Sequence, residues 1–346
     1  MRILTSPRDE KSSRSMATAD WQREWQASIT DPAALIRALD LDPGWLTAAR
    51  EAAELFPLRV PAAFLKRIRR GDPNDPLLRQ VLPLGAETEQ TPGFVTDPVG
   101  DGQSLHPGGV IHKYHGRALL IATGACAINC RYCFRRHFPY AEANASTAQW
   151  QPALDYLRAD SSIEEVILSG GDPLSLSDRR LAQLTEGLSA IPHLKRLRVH
   201  SRLPVVLPSR VDTALLEWLT GHRLQPVMVI HANHPNELDD EVAEAMRRFA
   251  GAGVRLFNQT VLLRGVNDSV KTLKALNERL FEIGVQPYYL HLLDRVQGAA
   301  HFDVEEPEAV ELMQRLASSQ PGYLLPRLVR EIAGKPYKVP VEAAAK

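Results

Sequence analysis

The residues best able to do chemistry lie in one short segment, residues 124 to 138 (GACAINCRYCFRRHF), which contains Cys126, Cys130 and Cys133. These are the only three cysteines in a chain of 346 residues. Random placement would put three cysteines so close together on the order of once in a thousand chains, so the C-x3-C-x2-C spacing indicates a set of ligands. Three thiolates bind an iron–sulfur cluster or, with a fourth ligand such as His137, a zinc ion.

The composition excludes several classes of protein. The chain has 41 basic and 41 acidic residues, so its charge does not indicate a nucleic-acid or membrane partner. No apolar run approaches the roughly 18 residues of a membrane span, and the N-terminal MRILTSPRDEKSSRS lacks the apolar core of a signal peptide. An odd, clustered set of cysteines suits metal binding in a reducing compartment, so we expect a cytoplasmic protein.

The elements that must position these cysteines alternate between short apolar strands and helices. Helical patterns cover residues 178 to 190, 236 to 250 and 268 to 283. Six predicted strands share a run of apolar residues: 118 to 123, 164 to 169, 194 to 200, 226 to 231, 253 to 259 and 285 to 293. Such alternation predicts an α/β fold with a parallel sheet, either curled into a barrel or doubly wound.

Polar residues follow the predicted strands at their carboxyl ends, the rim where α/β enzymes build their sites. Each has an ordinary structural explanation alone, for example a core histidine or a helix cap, but their shared position favours one site. The residues are Ser169, Gly170, Gly171 and Asp172, then His200, Ser201 and Arg202, then His231, Asn258, Gln259, His291 and Asp294.

The remainder of the chain is predicted from capping and turn signals. Residues 1 to 18 are polar and expected to be disordered, with Met16 as an alternative start. Asp31-Pro32 and Asp42-Pro43 each predict a helix start, and Pro61 opens a third helix that Gly71 closes. Its basic residues, 66 to 70, are expected on a solvated face. Residues 71 to 116 are rich in Pro, Gly and Asp and are predicted to form an irregular connector.

The sequence resembles a known family. CAINCRYC resembles the CxxxCxxC motif of radical S-adenosylmethionine (SAM) enzymes. Further segments resemble the lysine 2,3-aminomutase family, in particular its short bacterial branch, which makes (R)-β-lysine for modification of elongation factor P. The resemblance covers roughly residues 60 to 340. Its segments are SGGDPL (169 to 174), HSRLPVV (200 to 206), HANHPNE (231 to 237), NQTVLLRGVND (258 to 268) and PYYLHLLDRVQGAAHF (287 to 302).

The resemblance implies a partial (βα)6 barrel with an N-terminal helical extension and a C-terminal tail that closes the site. We therefore expect a disordered lead and helical extension over residues 1 to 95. The radical SAM barrel is expected over residues 96 to 325. The C-terminal segment is expected over residues 326 to 346.

The resemblance also implies three cofactors. Cys126, Cys130 and Cys133 would hold a [4Fe-4S] cluster whose open iron binds SAM, the source of a 5'-deoxyadenosyl radical. Gly170 and Gly171 would let backbone approach the methionine part of SAM, although an ordinary strand-to-helix turn is the alternative. The further cofactor contacts implied are Ser169, Asp172, His231, Asn258 and Gln259.

Pyridoxal 5'-phosphate (PLP) is implied because a migrating amino group must be held as an imine to accept a radical. Lys338 matches the Schiff-base lysine, with Lys335 as the competing lysine, and Arg117 matches the phosphate-binding arginine.

Substrate contacts are implied at both ends of an amino acid. Arg135 matches the partner of the substrate carboxylate, and Asp294 matches one of two carboxylates for a distal ammonium. The second carboxylate position holds Glu331 in a changed context, and His291 stands where the long branch has tyrosine.

The implied activity is an isomerase that converts L-lysine to (R)-β-lysine for elongation factor P. Its partners would be an electron donor such as flavodoxin or ferredoxin and the ligase that uses the product, with no nucleic acid or membrane. Two alternatives stay open. One is an aminomutase for another amino acid such as arginine or glutamate, although Asp294 argues against glutamate. The other is a non-catalytic Cys3His zinc or iron–sulfur protein.

Overall fold

Ten strands form one sheet in the computed structural model, which describes residues 20–143 and 150–342. The predicted disordered lead, residues 1 to 18 with Met16, lies outside the described residues. The strands are β1 Leu105–His106, β2 Val110–Tyr114, β3 Arg117–Thr123, β4 Glu165–Gly170, β5 Arg196–Ser201, β6 Gln225–Ile230, β7 Arg255–Val261, β8 Gln286–His291, β9 Arg327–Arg330 and β10 Val339–Pro340.

Thirteen α-helices accompany the sheet in the described ranges. They are α1 Asp20–Gln26, α2 Pro32–Ala38, α3 Leu46–Leu55, α4 Ala62–Leu65, α5 Pro76–Arg79, α6 Tyr140–Ala143, α7 Gln151–Ala159, α8 Asp178–Ser189, α9 Leu203–Val206, α10 Thr213–Thr220, α11 Asp240–Gly251, α12 Val270–Glu282 and α13 Glu306–Ala317. Among the residues described, no helix combines the length and apolar composition that crossing a membrane requires.

The sheet follows the order of the chain. Strands β3 to β9 run parallel, each beside the next. The strands at the two ends pair antiparallel, β1 and β2 before β3 and β10 after β9. Since β1 and β10 do not pair with each other, the parallel strands form an open, partial barrel. This confirms the predicted fold class, with β9 as a seventh parallel strand beyond the six that were predicted.

Strand β5 shows why these segments form a barrel. Its residues alternate between two sides, because successive side chains of a strand point in opposite directions. Leu197 and Val199 are fully buried in the same apolar cluster as Leu184 of α8. Arg198 and His200 lie on the other side and line cavities inside the barrel. The apolar side of the strand thus packs against the surrounding helices, and the polar side faces the interior of the barrel.

The N-terminal extension differs in part from its prediction. Asp31 caps α2 through hydrogen bonds from the backbone amides of Ala33 and Ala34, as expected. The helix opened by Pro61 ends at Leu65, well before Gly71. The basic residues that follow are not all solvated, because only 5% of the Arg67 side chain is exposed: its guanidinium donates to Asp239 at 2.8 Å and to the Val205 and Glu237 carbonyls. This arginine joins the extension to the barrel.

The predicted connector contains ordered structure. Strands β1 and β2 form an antiparallel pair that extends the sheet beside β3, with Ile111 opposite Leu119. Helix α5 lies in the same stretch and is capped by Asp75, which accepts from the amides of Leu77 and Leu78. The prediction of an irregular connector was therefore wrong for these segments, whose pairing depends on contacts with the barrel.

Candidate active site

The three cysteines lie in the loop that follows β3, which we call the cysteine loop, residues 124–139. It has no regular secondary structure and is held by the N-terminal extension. The Arg131 amide donates to the Gln80 carbonyl at 2.9 Å, and Trp25 Nε1 donates to the Cys126 carbonyl at 3.3 Å. Within the loop, the Cys133 amide donates to the Cys130 carbonyl at 3.0 Å. The extension therefore determines the backbone path that presents the thiols.

A buried ion cluster fixes the same loop. The Glu87 carboxylate of the extension, which is inaccessible to solvent, accepts from Arg131 at 2.6 Å and from Arg136 at 2.8 Å. Arg131 also donates to the Phe56 carbonyl, and Arg136 to the Gly298 carbonyl. One carboxylate thus joins two loop arginines, and their remaining donors reach backbone oxygens on either side.

The cysteine side chains line one cavity together. Burial, followed by the neighbouring Cys133, raises the pKa of the Cys126 thiol well above its usual value. Burial, followed by Cys130, raises the pKa of Cys133 to about 11. Thiols with such high pKa values are protonated when no metal is bound. They release their protons when iron binds, and the positive charge of the iron then stabilises the thiolates.

The end of β4 packs directly against the start of the cysteine loop. Gly170 has a φ of +122°, which favours glycine, and a Cβ there would lie 2.5 Å from the Thr123 carbonyl oxygen. A Cβ on Gly171 would lie 2.4 Å from the Ala125 carbonyl oxygen. Both glycines line the cysteine cavity. The protein backbone itself therefore requires glycine here, whatever else the cavity binds.

Asp172 organises the neighbouring strand end. Its buried carboxylate accepts from the Ser201 hydroxyl at 2.7 Å, from the Arg202 amide at 2.8 Å and from the Leu203 amide at 3.0 Å. It also caps the short 3-10 helix that starts at Pro173. Although Asp172 borders the cavity, its oxygens are occupied by protein donors. It therefore connects the ends of β4 and β5.

Two adjoining cavities, of about 150 and 230 Å³, form the interior of the barrel at the carboxyl ends of the strands. The first contains the three cysteines and the second contains Lys338. Because some residues line both cavities as a shared wall, molecules bound in the two cavities would contact the same side chains. The shared residues are Phe134, Arg135, Ser169, His200, His231, Gln259, His291 and Asp294.

Four buried polar atoms on this wall have no protein partner among the described residues: Nε2 of His200, His231 and His291, and Oε1 of Gln259. Burial lowers the pKa of all three imidazoles, that of His231 to about 4, so they are neutral. A buried polar atom without a partner is costly. Their convergence on one wall fits a cavity that binds a polar molecule.

Asn258 does not share this position, which corrects its prediction as a cofactor contact. Its buried amide is satisfied by Ala232, accepting from the amide at 2.9 Å and donating to the carbonyl at 3.1 Å. Adjacent residues of a strand face opposite sides, so Gln259 reaches the cavities and Asn258 cannot. Of the predicted pair, only Gln259 lines the site.

The second cavity contains a chain of alternating charges. Arg135 Nε donates to Asp101 at 2.7 Å, and Lys113 Nζ lies 2.6 Å from Asp101 and 3.1 Å from Glu331. Lys338 Nζ donates to Glu331 at 2.6 Å. Burial raises the pKa of Glu331, but Lys338 and Lys113 outweigh it and lower that pKa to about 2. All five side chains border this cavity.

The antiparallel pairing of β9 and β10 explains why Lys338 enters the cavity. Val339 lies opposite Arg330, which brings Lys338 beside Glu331. Lys335, the competing lysine, is exposed and lines neither cavity. Of the two lysines, only Lys338 is placed to react with a bound molecule.

Asp294 and Arg117 complete the predicted set. Burial, followed by the negative charge of Glu331, raises the pKa of Asp294 to about 7. Arg117, at the start of β3, lies with its guanidinium carbon 4.6 Å from the centre of the Tyr114 ring and borders the second cavity. The cavity therefore has an acidic region at Asp294 and a basic one at Arg117.

His137 does not join the cysteines. Its Nε2 lies 3.2 Å from the Gln297 carbonyl oxygen, and it lines a third cavity, which contains none of the cysteines. In the described part of the chain, no three His, Cys, Asp or Glu side chains are grouped to hold a single metal ion. The Cys3His zinc alternative is therefore not supported. A four-iron cluster differs because each thiolate binds its own iron.

Sequence reasoning missed Asp101 and Lys113, which hold the charge chain together. Both lie in the stretch predicted to be irregular. Asp101 is positioned by Asp97, whose carboxylate accepts from the Asp101 amide at 3.0 Å. An acidic residue in a Gly-rich turn gives no signal by itself, since its partners are distant in sequence.

The fold and the site define a radical SAM enzyme, and the model of the Radical SAM superfamily matches residues 120–276. The L-lysine 2,3-aminomutase of Escherichia coli (strain K12) is 51% identical over 93% of this chain and 94% of its own length. That of Haemophilus influenzae is 49% identical over 92% of this chain and 94% of its own. The chain belongs to the L-lysine 2,3-aminomutase family of radical SAM isomerases.

Among solved structures, a radical SAM methyltransferase from Sphaerobacter thermophilus matches this chain with a TM-score of 0.43 and 17% sequence identity. The match covers 64% of this chain and 68% of the methyltransferase.

Proposed function

We propose that this protein converts L-lysine to (R)-β-lysine by moving the amino group from the α-carbon to the β-carbon. The observation that carries this proposal is the polarity of the second cavity. Arg135 can bind a carboxylate, while Asp294 and Glu331 can bind a distant ammonium. Lysine carries the same two charges at its two ends. The names of the Escherichia coli and Haemophilus influenzae relatives support this substrate.

Arg135 is held ready for the substrate carboxylate. Its Nε donates to Asp101 at 2.7 Å and its Nη1 to Ser169 at 3.1 Å. We find no protein acceptor for Nη2 among the described residues, so that nitrogen is available to a ligand. A guanidinium fixed through two of its nitrogens loses little freedom when it binds.

The cysteine cavity fits a [4Fe-4S] cluster with SAM. Cys126, Cys130 and Cys133 would hold the cluster, and the unpaired atoms of His231 and Gln259 would contact SAM or the neighbouring cofactor. When bound, the cluster and SAM supply the radical that takes a hydrogen atom from the substrate. The wall shared by the two cavities brings this chemistry next to Arg135 and Asp294.

The second cavity fits PLP. Lys338 would hold its aldehyde carbon, and Arg117, which borders the same cavity, would bind its phosphate. When bound, PLP supplies the π-system that lets the amino group migrate. Glu331 keeps the Lys338 side chain inside the cavity, and neutral His200 and His291 add hydrogen-bonding atoms without repelling a cationic substrate.

The test is reconstitution with iron and sulfide without oxygen, followed by assays with SAM, PLP and a reductant on lysine, arginine and glutamate separately. We expect β-lysine from lysine and little product from the other two. Turnover of arginine or glutamate in preference to lysine would contradict the proposed substrate.

Lys338→Ala tests the PLP assignment. We expect it to abolish both the visible absorption of lysine-bound PLP and the formation of β-lysine, because Lys113, the other lysine that lines the cavity, is paired with Asp101 and Glu331. Lys335→Ala is the matched control and should retain both, since Lys335 is exposed. A Lys338→Ala protein that still makes β-lysine would show that PLP is held elsewhere.

We further propose that the product modifies elongation factor P in the cytoplasm, that a ligase accepts it, and that flavodoxin or ferredoxin supplies the electron. The support is the resemblance to the short bacterial branch. The intact mass of elongation factor P from cells with and without this protein tests the first of these.

A further inference from the structure

Arg202, directly after β5, contacts one of the cluster cysteines. Its Nη1 lies 2.7 Å from Sγ of Cys130, and only 5% of its side chain is exposed. A guanidinium has donors and no acceptor, so the nitrogen donates its hydrogen to sulfur. The cysteine that receives this bond is the middle one of the three.

The two terminal nitrogens of the guanidinium are both held by hydrogen bonds. Its Nη2 donates to Gln80 Oε1 at 2.7 Å and to Glu237 Oε2 at 2.9 Å. Its carbon lies 5.5 Å from the centre of the Phe64 ring and 5.6 Å from that of Tyr132. Arg202 therefore cannot turn away from Cys130 without breaking several buried contacts.

The charge of Arg202 is balanced locally. The Glu237 side chain is fully buried, and its other oxygen accepts from Gln80 Nε2 at 3.1 Å and from the Asn233 amide at 2.9 Å. The arginine and the glutamate thus form a neutral pair. Because the charge is balanced, Arg202 acts on Cys130 mainly through the N–H hydrogen bond. Such a bond is stronger in a site shielded from water.

We infer that Arg202 raises the reduction potential of the cluster by donating a hydrogen bond to the Cys130 thiolate. Reduction by one electron adds negative charge to the cluster and its sulfurs. A donor aimed at a ligand sulfur stabilises the more negative, reduced form, and hydrogen bonds to sulfur are among the means by which proteins set these potentials. Arg202 is therefore a tuning residue that makes the electron easier to accept.

The test combines Arg202→Met with Glu237→Gln. This double variant removes the N–H donor while the pocket stays neutral, so a change in potential reports the hydrogen bond and not a buried unpaired charge. The control is Arg210→Met with Asp178→Asn. That pair has a fully buried arginine 2.6 Å from its carboxylate, and it lines neither cavity.

The clusters are reconstituted and their reduction is followed by electron paramagnetic resonance at a series of controlled potentials, without SAM, PLP or lysine. We expect the ratio of reduced to oxidised cluster at a fixed potential to fall about tenfold in the double variant, which is a shift of ~59 mV for one electron. The control should match the unmodified protein.

An unchanged potential at full iron content overturns the inference. So does a loss of iron in proportion to thermal destabilisation, with the remaining clusters keeping the original potential, because Arg202 would then only hold Cys130 in place. If the double variant does not fold, Arg202→Met is measured alone. It removes the same donor and leaves Glu237 without its countercharge, both of which lower the potential, so an unchanged potential overturns the inference equally. Since neither lysine nor PLP is present, the result is independent of the proposed function.

Discussion

The charge of Asp294 depends on its surroundings. Its pKa of about 7 results from burial and then from the nearby Glu331 carboxylate, so it carries a proton below neutrality and a charge above it. The lysine ammonium stays charged throughout, since its own pKa is about 10.4. Attraction between the two therefore develops as the pH rises through about 7.

We predict that KM for lysine falls as the pH rises from about 6 to about 8, with a change approaching tenfold per unit on the acidic side. Asp294→Asn should have a high KM without this dependence. Initial rates with saturating SAM and PLP measure both. Asp303→Asn is the control, because Asp303 also has a pKa raised by burial but lines neither cavity. A KM in Asp294→Asn that still follows pH would assign the effect to another group.

At the scale of elements, six of the seven parallel strands were predictable, whereas the antiparallel strands at the two ends of the sheet were not. Strands such as β4 are continuous apolar runs, which a strand covered on both faces requires. Strands β1 and β10 have two residues each and form only because β2 and β9 lie beside them. Short strands of this kind take their conformation from tertiary pairing rather than from composition.

The same difference separates the site residues. Cys126, Cys130 and Cys133 carry a local signal in their spacing. Asp101 and Lys113 carry none, because the salt bridges that give them a role join residues far apart in the chain. Strand parity was available for Asn258 and Gln259 and would have separated them without the structure.

The end of β4 packs so closely against the cysteine loop that a larger residue at Gly171 should disturb the loop. In Gly171→Ala the new Cβ would lie 2.4 Å from the Ala125 carbonyl oxygen and 2.7 Å from the Gly124 carbonyl carbon. Neither backbone atom can move without shifting the loop, and overpacking of this kind costs about 1–3 kcal/mol. We expect a lower melting temperature and less iron per chain after reconstitution.

Gly251→Ala is the matched substitution for this junction. Apart from its chain neighbours and the backbone of its own helix, no atom of the described residues lies within 4 Å of the Cβ it would add at the end of α11, so stability and iron content should be unchanged or slightly improved. Equal iron binding by Gly171→Ala and Gly251→Ala would mean that the loop tolerates displacement.

At the scale of the whole molecule, the N-terminal extension acts as part of the active site. It supplies Glu87 to the cysteine loop, Gln80 to Arg202, and Arg67 to the segment between β6 and α11. One large apolar cluster contains Trp21, Phe64 and residues of the barrel, so the two parts share a core. The cysteine loop, which has no regular structure, thereby gains a rigid support.

Glu87→Gln tests this support. The change leaves Arg131 and Arg136 buried without a countercharge, and loss of one partner of a buried ion pair costs about 3–5 kcal/mol. We expect a clearly lower melting temperature and faster loss of iron from the reconstituted cluster, because the loop backbone between Cys130 and His137 is released. Glu308→Gln removes an exposed pair with Arg264 and should change stability by no more than about 0.5 kcal/mol. If Glu87→Gln kept its iron as long as Glu308→Gln does, the cysteine loop would hold its shape without the extension, and the extension would serve only to cover the barrel.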